Sequence, residues 1–168
     1  MASRVFFDPL VTLRVAPLVT ATCTLVFGNV QHFFLSTLNL PENKEPSRAL
    51  PPSYWAGFFR RGVKTAVALL LATIGSCVAN IYTQPASLKA NESYSLYVAG
   101  AVLGVAHFVF APIILPSGLS LTTNETQSGV DLFDVLDKWL WAQTIQMWTV
   151  DLGAWLSLVF AVGRSLQA

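Results

Sequence analysis

Tyr97–Pro116 reads YVAGAVLGVAHFVFAPIILP, an apolar run with no Asp, Glu, Lys or Arg, interrupted only by His107. About 20 residues at ~1.5 Å rise match the roughly 30 Å hydrocarbon core of a bilayer, so this stretch is expected to form a transmembrane helix. Gly100, Gly104, His107 and Ala111 recur at i, i+4, i+7 and i+11 and share one helix face. Gly100 and Gly104 make a GxxxG, which lets a neighbouring helix backbone approach closely where no hydrophobic effect drives association. His107 on that face is expected to point into a bundle, because an imidazole in lipid is costly. It reads as a functional group or as a helix-to-helix hydrogen bond, and the glycines read as packing.

Composition supports a membrane setting. Charged residues make up 11% of the 168-residue chain, against about one quarter in soluble domains, and the length suits a single domain. A net charge of +1 with no basic tract excludes nucleic acid as an expected partner. Cys23 and Cys77 lie in apolar segments without a CxxC or Cys/His spacing, so they read as small buried hydrophobes. Arg4 and Arg14 precede an apolar run that Pro17 interrupts. No A-x-A site follows, so the run is expected to be a span and not a signal peptide.

The expected fold class is therefore all-α, a four-helix transmembrane bundle forming one integral membrane domain over residues 1–168, with spans near 15–34, 62–81, 97–116 and 139–163. In the first span, Pro17 is expected in the opening turn, where a missing N–H does no harm. Its far end carries Gly28, Asn29, Gln31 and His32. Asn39–Ser53, with Pro41, Pro46, Pro51 and Pro52, is expected to be an extended, non-helical connector. Tyr54–Lys64 mixes aromatic and basic residues as at a membrane surface. In the second span Ala68, Ala72, Gly75, Ser76 and Ala79 suggest close packing on one side.

Tyr82–Ser93 reads as a turn-rich connector, and both Asn91-Glu92-Ser93 and Asn124-Glu125-Thr126 are glycosylation sequons. The second and third connectors lie on opposite sides of a membrane, so both cannot be used. Ser128 and Asp131 resemble a helix-capping start, and Asp131 and Asp134 suit the positive end of a helix dipole. Basic residues favour the first and third connectors, which places both termini outside or in a lumen, and an endomembrane is the expected location.

The fourth span is the most polar, with Gln143, Gln146, Thr149 and Asp151, and Asp151 is the only acid within any span. It must pair, neutralise or meet water. Thr144, Trp148, Asp151 and Trp155 share a face at helical spacing, which puts the carboxylate between two indoles. Counted from the terminal side, His107 lies about 16 Å deep, Gln146 about 20 Å, Asp151 about 12 Å and His32 about 25 Å. His107, Gln146 and Asp151 are thus expected in one layer, with His32 nearer the connector-side mouth. Two His and one carboxylate would suit iron, but the depth gap between the two histidines argues against shared ligation, so no metal is expected.

The order of features resembles the DUF1772 group, the anthrone oxygenase family of small fungal membrane proteins. The resemblance rests on the polar-ended first span, SYWAGFFRRG entering the second, FAPIILPSGLSL closing the third and DKWLWAQ opening the fourth. It departs at PSGLSL, and at Gln143 and Gln146, where related chains carry Asn-containing or Asn/Arg segments. What it implies is oxidation of an anthrone-like phenolic polyketide to a quinone, with dioxygen as co-substrate and no organic cofactor, in secondary metabolite biosynthesis. Depth and facing then make His107 the candidate base, with Asp151 and Gln146 orienting it. His32 is assigned to the phenol, and Trp148 and Trp155 would stack on a flat aromatic substrate. The rival reading is a non-enzymatic assembly or interaction protein of the lipid bilayer, and either reading permits a homo-oligomer.

Overall fold

The computed structural model describes residues 8–122 and 131–167. Arg4, Ser128 and the sequon at Asn124 lie outside the described residues. The chain is all-α: α1 is Pro9–Leu38, α2 Pro41–Arg48, α3 Pro52–Thr83, α4 Pro85–Ala90, α5 Tyr94–Ala106, α6 Ala111–Thr122, α7 Leu132–Gln146 and α8 Leu152–Leu166. A 3₁₀ turn, His107–Phe110, joins α5 to α6, and a π turn, Met147–Asp151, joins α7 to α8. There is no strand among the described residues. Four segments are long and apolar enough to cross a membrane: α1, α3, α5 with α6, and α7 with α8. At 30 residues, α1 would run about 45 Å, well past a hydrocarbon core of roughly 30 Å.

Proline starts these helices more than it breaks them. Pro9, Pro41, Pro52 and Pro85 all stand in the first helical positions, where no intrahelical N–H bond is required. The connector expected to stay extended therefore contains α2, and α3 begins at Pro52, ten residues before the expected span. Tyr82–Ser93 likewise contains α4. Asp8 caps α1 by accepting the Leu10 N–H at 2.8 Å, and Asp131 caps α7 by accepting the Phe133 N–H at 3.1 Å.

Pro17 is not in a first turn, because α1 starts at Pro9. Its missing N–H deprives the Leu13 carbonyl of its i+4 donor. The fully buried Asn80 of α3 supplies a substitute, its Nδ2–H reaching Leu13 O at 2.6 Å. A polar residue near the end of α3 thus repairs a defect in α1.

The helices pack in a ring: α1 meets α3, α3 meets α5 and α6, and the α7–α8 segment lies against both α5–α6 and α1. Two apolar clusters fill the ends. Leu35, Trp55, Leu121, Phe133, Leu136, Trp139 and their neighbours close the side of the first and third connectors. Ala21, Cys77, Leu88, Tyr97, Leu158 and Ala161 close the terminal side. Between them lies a polar layer.

Small residues do not pack as their spacing suggests. A Cβ on Gly100 would lie 2.8 Å from Leu158 Cδ2 of α8, and one on Gly104 2.9 Å from Ile74 Cγ1 of α3. The GxxxG therefore receives two side chains from two different helices, not one close backbone. Ala68, Ala72 and Gly75 face outward, while Leu70, Thr73, Cys77 and Asn80 form the buried face of α3. Cys77 is buried as expected; Cys23 is exposed.

Candidate functional site

The third span changes helix type at His107, and Pro112 accounts for it. Proline at this position has no N–H for Phe108 O and its ring crowds that carbonyl, so the preceding turn tightens. The Ala111 N–H then bonds Phe108 O instead of reaching back to His107 O. Gln146 takes up the His107 carbonyl, donating from Nε2 at 2.9 Å. Gln146 thus fixes the backbone of His107, whereas orientation of the ring falls to Asp151.

His107 Nδ1 and Asp151 Oδ1 are 2.7 Å apart, with side chains 18% and 11% exposed. An ionised carboxylate only accepts, so Nδ1 carries the proton and donates. In the neutral ring the lone pair is left on Nε2, which has no partner among the described residues. Asp151 is the last residue of the π turn, a distortion frequent at functional sites. The arrangement is a base held in one tautomer by a buried carboxylate, able to accept a proton at Nε2 while Asp151 stabilises the imidazolium.

His32 lies on α1, with Nε2 2.9 Å from Thr144 Oγ1. The Thr144 hydroxyl proton goes to Leu140 O at 2.8 Å, so His32 donates from Nε2 and keeps its lone pair on Nδ1. Next to it, Gln143 Nε2 reaches Gly28 O and Gln31 Oε1, both at 3.5 Å. The fourth span therefore orients both imidazoles, His32 through Thr144 and His107 through Asp151. Among the described residues, no three His, Cys, Asp or Glu side chains are grouped to hold a metal ion.

The two tryptophans assigned to substrate stand elsewhere. Trp148 is 61% exposed on the outer face of the bundle. Trp155 donates its Nε1–H to Thr22 Oγ1 at 2.9 Å and packs on the terminal-side cluster. A regular α-helix would align both indoles with Asp151. The π turn at residues 147–151 breaks that alignment for Trp148, while Trp155, one turn beyond Asp151 in α8, is held by Thr22 of α1.

Arg14 is a second polar centre, at the terminal end. Its guanidinium donates to Gln84 Oε1 at 2.7 and 3.1 Å, to Ser165 O at 2.6 Å and to Ser87 Oγ at 3.2 Å. The Tyr97 hydroxyl returns a bond to Arg14 O at 2.9 Å. All four spans meet there. Asn91 of the first sequon caps the end of α4 with its Nδ2 buried, so the folded chain has no room for a glycan on that atom.

These features define a class: a small all-α bundle on four membrane-length helices, with an imidazole–carboxylate pair set between apolar ends. The chain belongs to the family of the oxaleimides biosynthesis cluster protein N of Penicillium oxalicum, to which it is 30% identical over 169 residues, covering 93% of this chain and 90% of the relative. The counterpart from Penicillium oxalicum strain 114-2 / CGMCC 5302 matches to the same extent. No family model matches the chain, and no solved structure does.

Proposed function

We propose that this protein is a multi-pass membrane enzyme of fungal secondary metabolism, an oxygenase that converts an anthrone-like phenolic polyketide to a quinone with dioxygen. The observation that carries the reading is the 2.7 Å contact between His107 and Asp151, which leaves Nε2 as a base inside an apolar bundle. The relative's biosynthetic-cluster name supports the metabolic setting, and the four apolar helices support the membrane one. An endomembrane, with both termini on its lumenal side, fits the basic residues of the first connector.

The chemistry asks little of the protein beyond a base and a dry site. His107 Nε2 removes a proton from the methylene carbon between two aromatic rings, leaving a delocalised carbanion. Dioxygen takes one electron from it and the two radicals combine, forming a C–O bond and a peroxide anion that regains the proton from the imidazolium. Loss of the second methylene hydrogen with cleavage of the O–O bond gives the ketone and water. One dioxygen is consumed per methylene, with one oxygen atom in the quinone and the other in water. Asp151 stabilises the imidazolium in the interval when it holds the proton.

Purified protein incubated with candidate anthrones tests this by dioxygen uptake and quinone formation. His107→Gln keeps a donor for Asp151 but has no base. Loss of turnover in that variant with an unchanged melting temperature supports the enzyme. If the parent consumes no anthrone and His107→Gln only loses stability, the pair is a helix lock in an interaction protein.

A further inference from the structure

We propose that Trp139 and Gln143 form a subsite for a hydroxyl group of the ligand, a phenol carried on a fused-ring scaffold. Trp139 and Gln143 are 4% and 7% exposed, and the indole Nε1–H of one and the Oε1 of the other are buried without a hydrogen-bond partner among the described residues. They stand one turn apart on the buried face of α7. Other orphaned atoms, on Asn39, Asn80, Gln84 and Asn91, belong to the last turn or cap of a helix. Trp139 is mid-helix, and Gln143, in the last turn of α7, is followed by the π turn and α8 and not by a cap or chain reversal.

The chemistry of the two groups selects the ligand. A hydroxyl accepts from an indole N–H and donates to an amide carbonyl at once; a ketone or ether does only the first, and an ammonium only the second. The surroundings are apolar, with Leu136 and Leu140 in the same cluster and the Phe59 ring edge-on to Trp139 at 5.8 Å. A hydroxyl entering there must arrive on a flat apolar body. Gln143 and Asp151 are eight steps apart in the chain, at most about 12 Å along the axis at ~1.5 Å rise because the π turn between them rises less per residue, a span suited to several fused rings and not to one. His32 with its free Nδ1, held one residue along at Thr144, lies on the same side. The identity of the ligand's reacting end rests on the oxygenase reading; the hydroxyl subsite does not.

The test compares a dihydroxy-anthrone with its methyl ether, binding to the full chain in detergent by calorimetry. Wild-type protein is expected to prefer the phenol by about tenfold, the usual weight of one hydrogen bond. Gln143→Leu should erase that preference while leaving ether binding unchanged, and Trp139→Phe should weaken both ligands alike. Equal wild-type binding of phenol and ether overturns the subsite, and this arm needs no variant to fold. Preference that survives Gln143→Leu, or no binding of either probe, overturns it too and leaves a buried water as the occupant. Dioxygen uptake on the same samples separates the two readings: preference without turnover sinks the oxygenase and keeps the subsite, and turnover without preference does the reverse.

Discussion

His107 opens the 3₁₀ turn of the third span, Asp151 closes the π turn of the fourth, and a 2.7 Å hydrogen bond joins the two irregularities. One helix is wound too tightly at the contact and the other too loosely. Deleting Thr149, an exposed residue within the π turn, should restore α geometry there. The flanking helices keep their facing, since a π turn accommodates one extra residue, but Asp151 is re-aimed. Turnover is expected to fall by about 10²–10⁴-fold, the usual worth of a positioned base, with the melting temperature little changed. Circular dichroism and dioxygen uptake on the same preparation check both halves.

Asp151→Asn separates charge from shape. The amide keeps the volume but cannot stabilise an imidazolium, and if its NH₂ donates to Nδ1 the proton is forced onto Nε2. The expected result is a fall in kcat of about 10²-fold or more with KM nearly unchanged, because Asp151 acts on the base and not on substrate binding. A rise in KM with kcat preserved would assign Asp151 to binding instead.

Arg14 predicts a stability effect remote from that pair. Its donors converge on Gln84, Ser87 and the Ser165 carbonyl, which lies in the last turn of α8 where carbonyls lack intrahelical donors. Arg14→Ala should cost about 2–4 kcal/mol, given roughly 1.5–3 for a hydrogen bond to a charged group. Arg14→Lys should recover little, since a single ammonium cannot match the planar fork. Thermal unfolding in detergent reads both.

The spans are legible in the sequence because apolar length and the scarcity of charge need no tertiary information. The His107–Asp151 pairing is legible too, since both are ionisable residues inside spans and their depths agree. What escapes the sequence depends on local helix type and on partners distant in the chain. Trp148 aligns with Asp151 only if the helix is regular, and nothing in Met147–Asp151 announces a π turn; the bond from Trp155 to Thr22 depends on a partner helix. Arg14 reads as a flanking charge until its acceptors from α8 and the α3–α4 junction are in place. Pro112 and Pro17 do carry a signal, an orphaned carbonyl four residues upstream, but not the identity of the donor that answers it.

At the start of α7, the carboxyl of Asp131 is held below its usual range, first by the Phe133 N–H and then by the Arg48 side chain. A depressed folded-state pKa contributes stability that is present above the ordinary carboxylate value of about 4. That contribution is lost as pH falls through the lower folded-state value. Asp131→Asn should therefore lower stability slightly in the neutral region, where that contribution is present, and flatten the acid limb below about pH 4, where the parent loses it anyway. Melting temperature as a function of pH for the two proteins checks the sign.

The Asn80–Leu13 contact exists because Pro17 cannot donate, so Asn80 and Pro17 should be energetically coupled although they lie on different helices. Asn80→Leu leaves the Leu13 carbonyl buried without a donor and is expected to cost about 1–3 kcal/mol. In a Pro17→Ala background the backbone N–H restored at that position reaches Leu13 O itself, and the same Asn80→Leu change should then cost little. The double-mutant cycle is predicted to show a coupling of about 1–2 kcal/mol. Additive effects would mean that Asn80 serves only its other acceptor, Ser76 O at 2.8 Å, and that the proline defect is answered elsewhere.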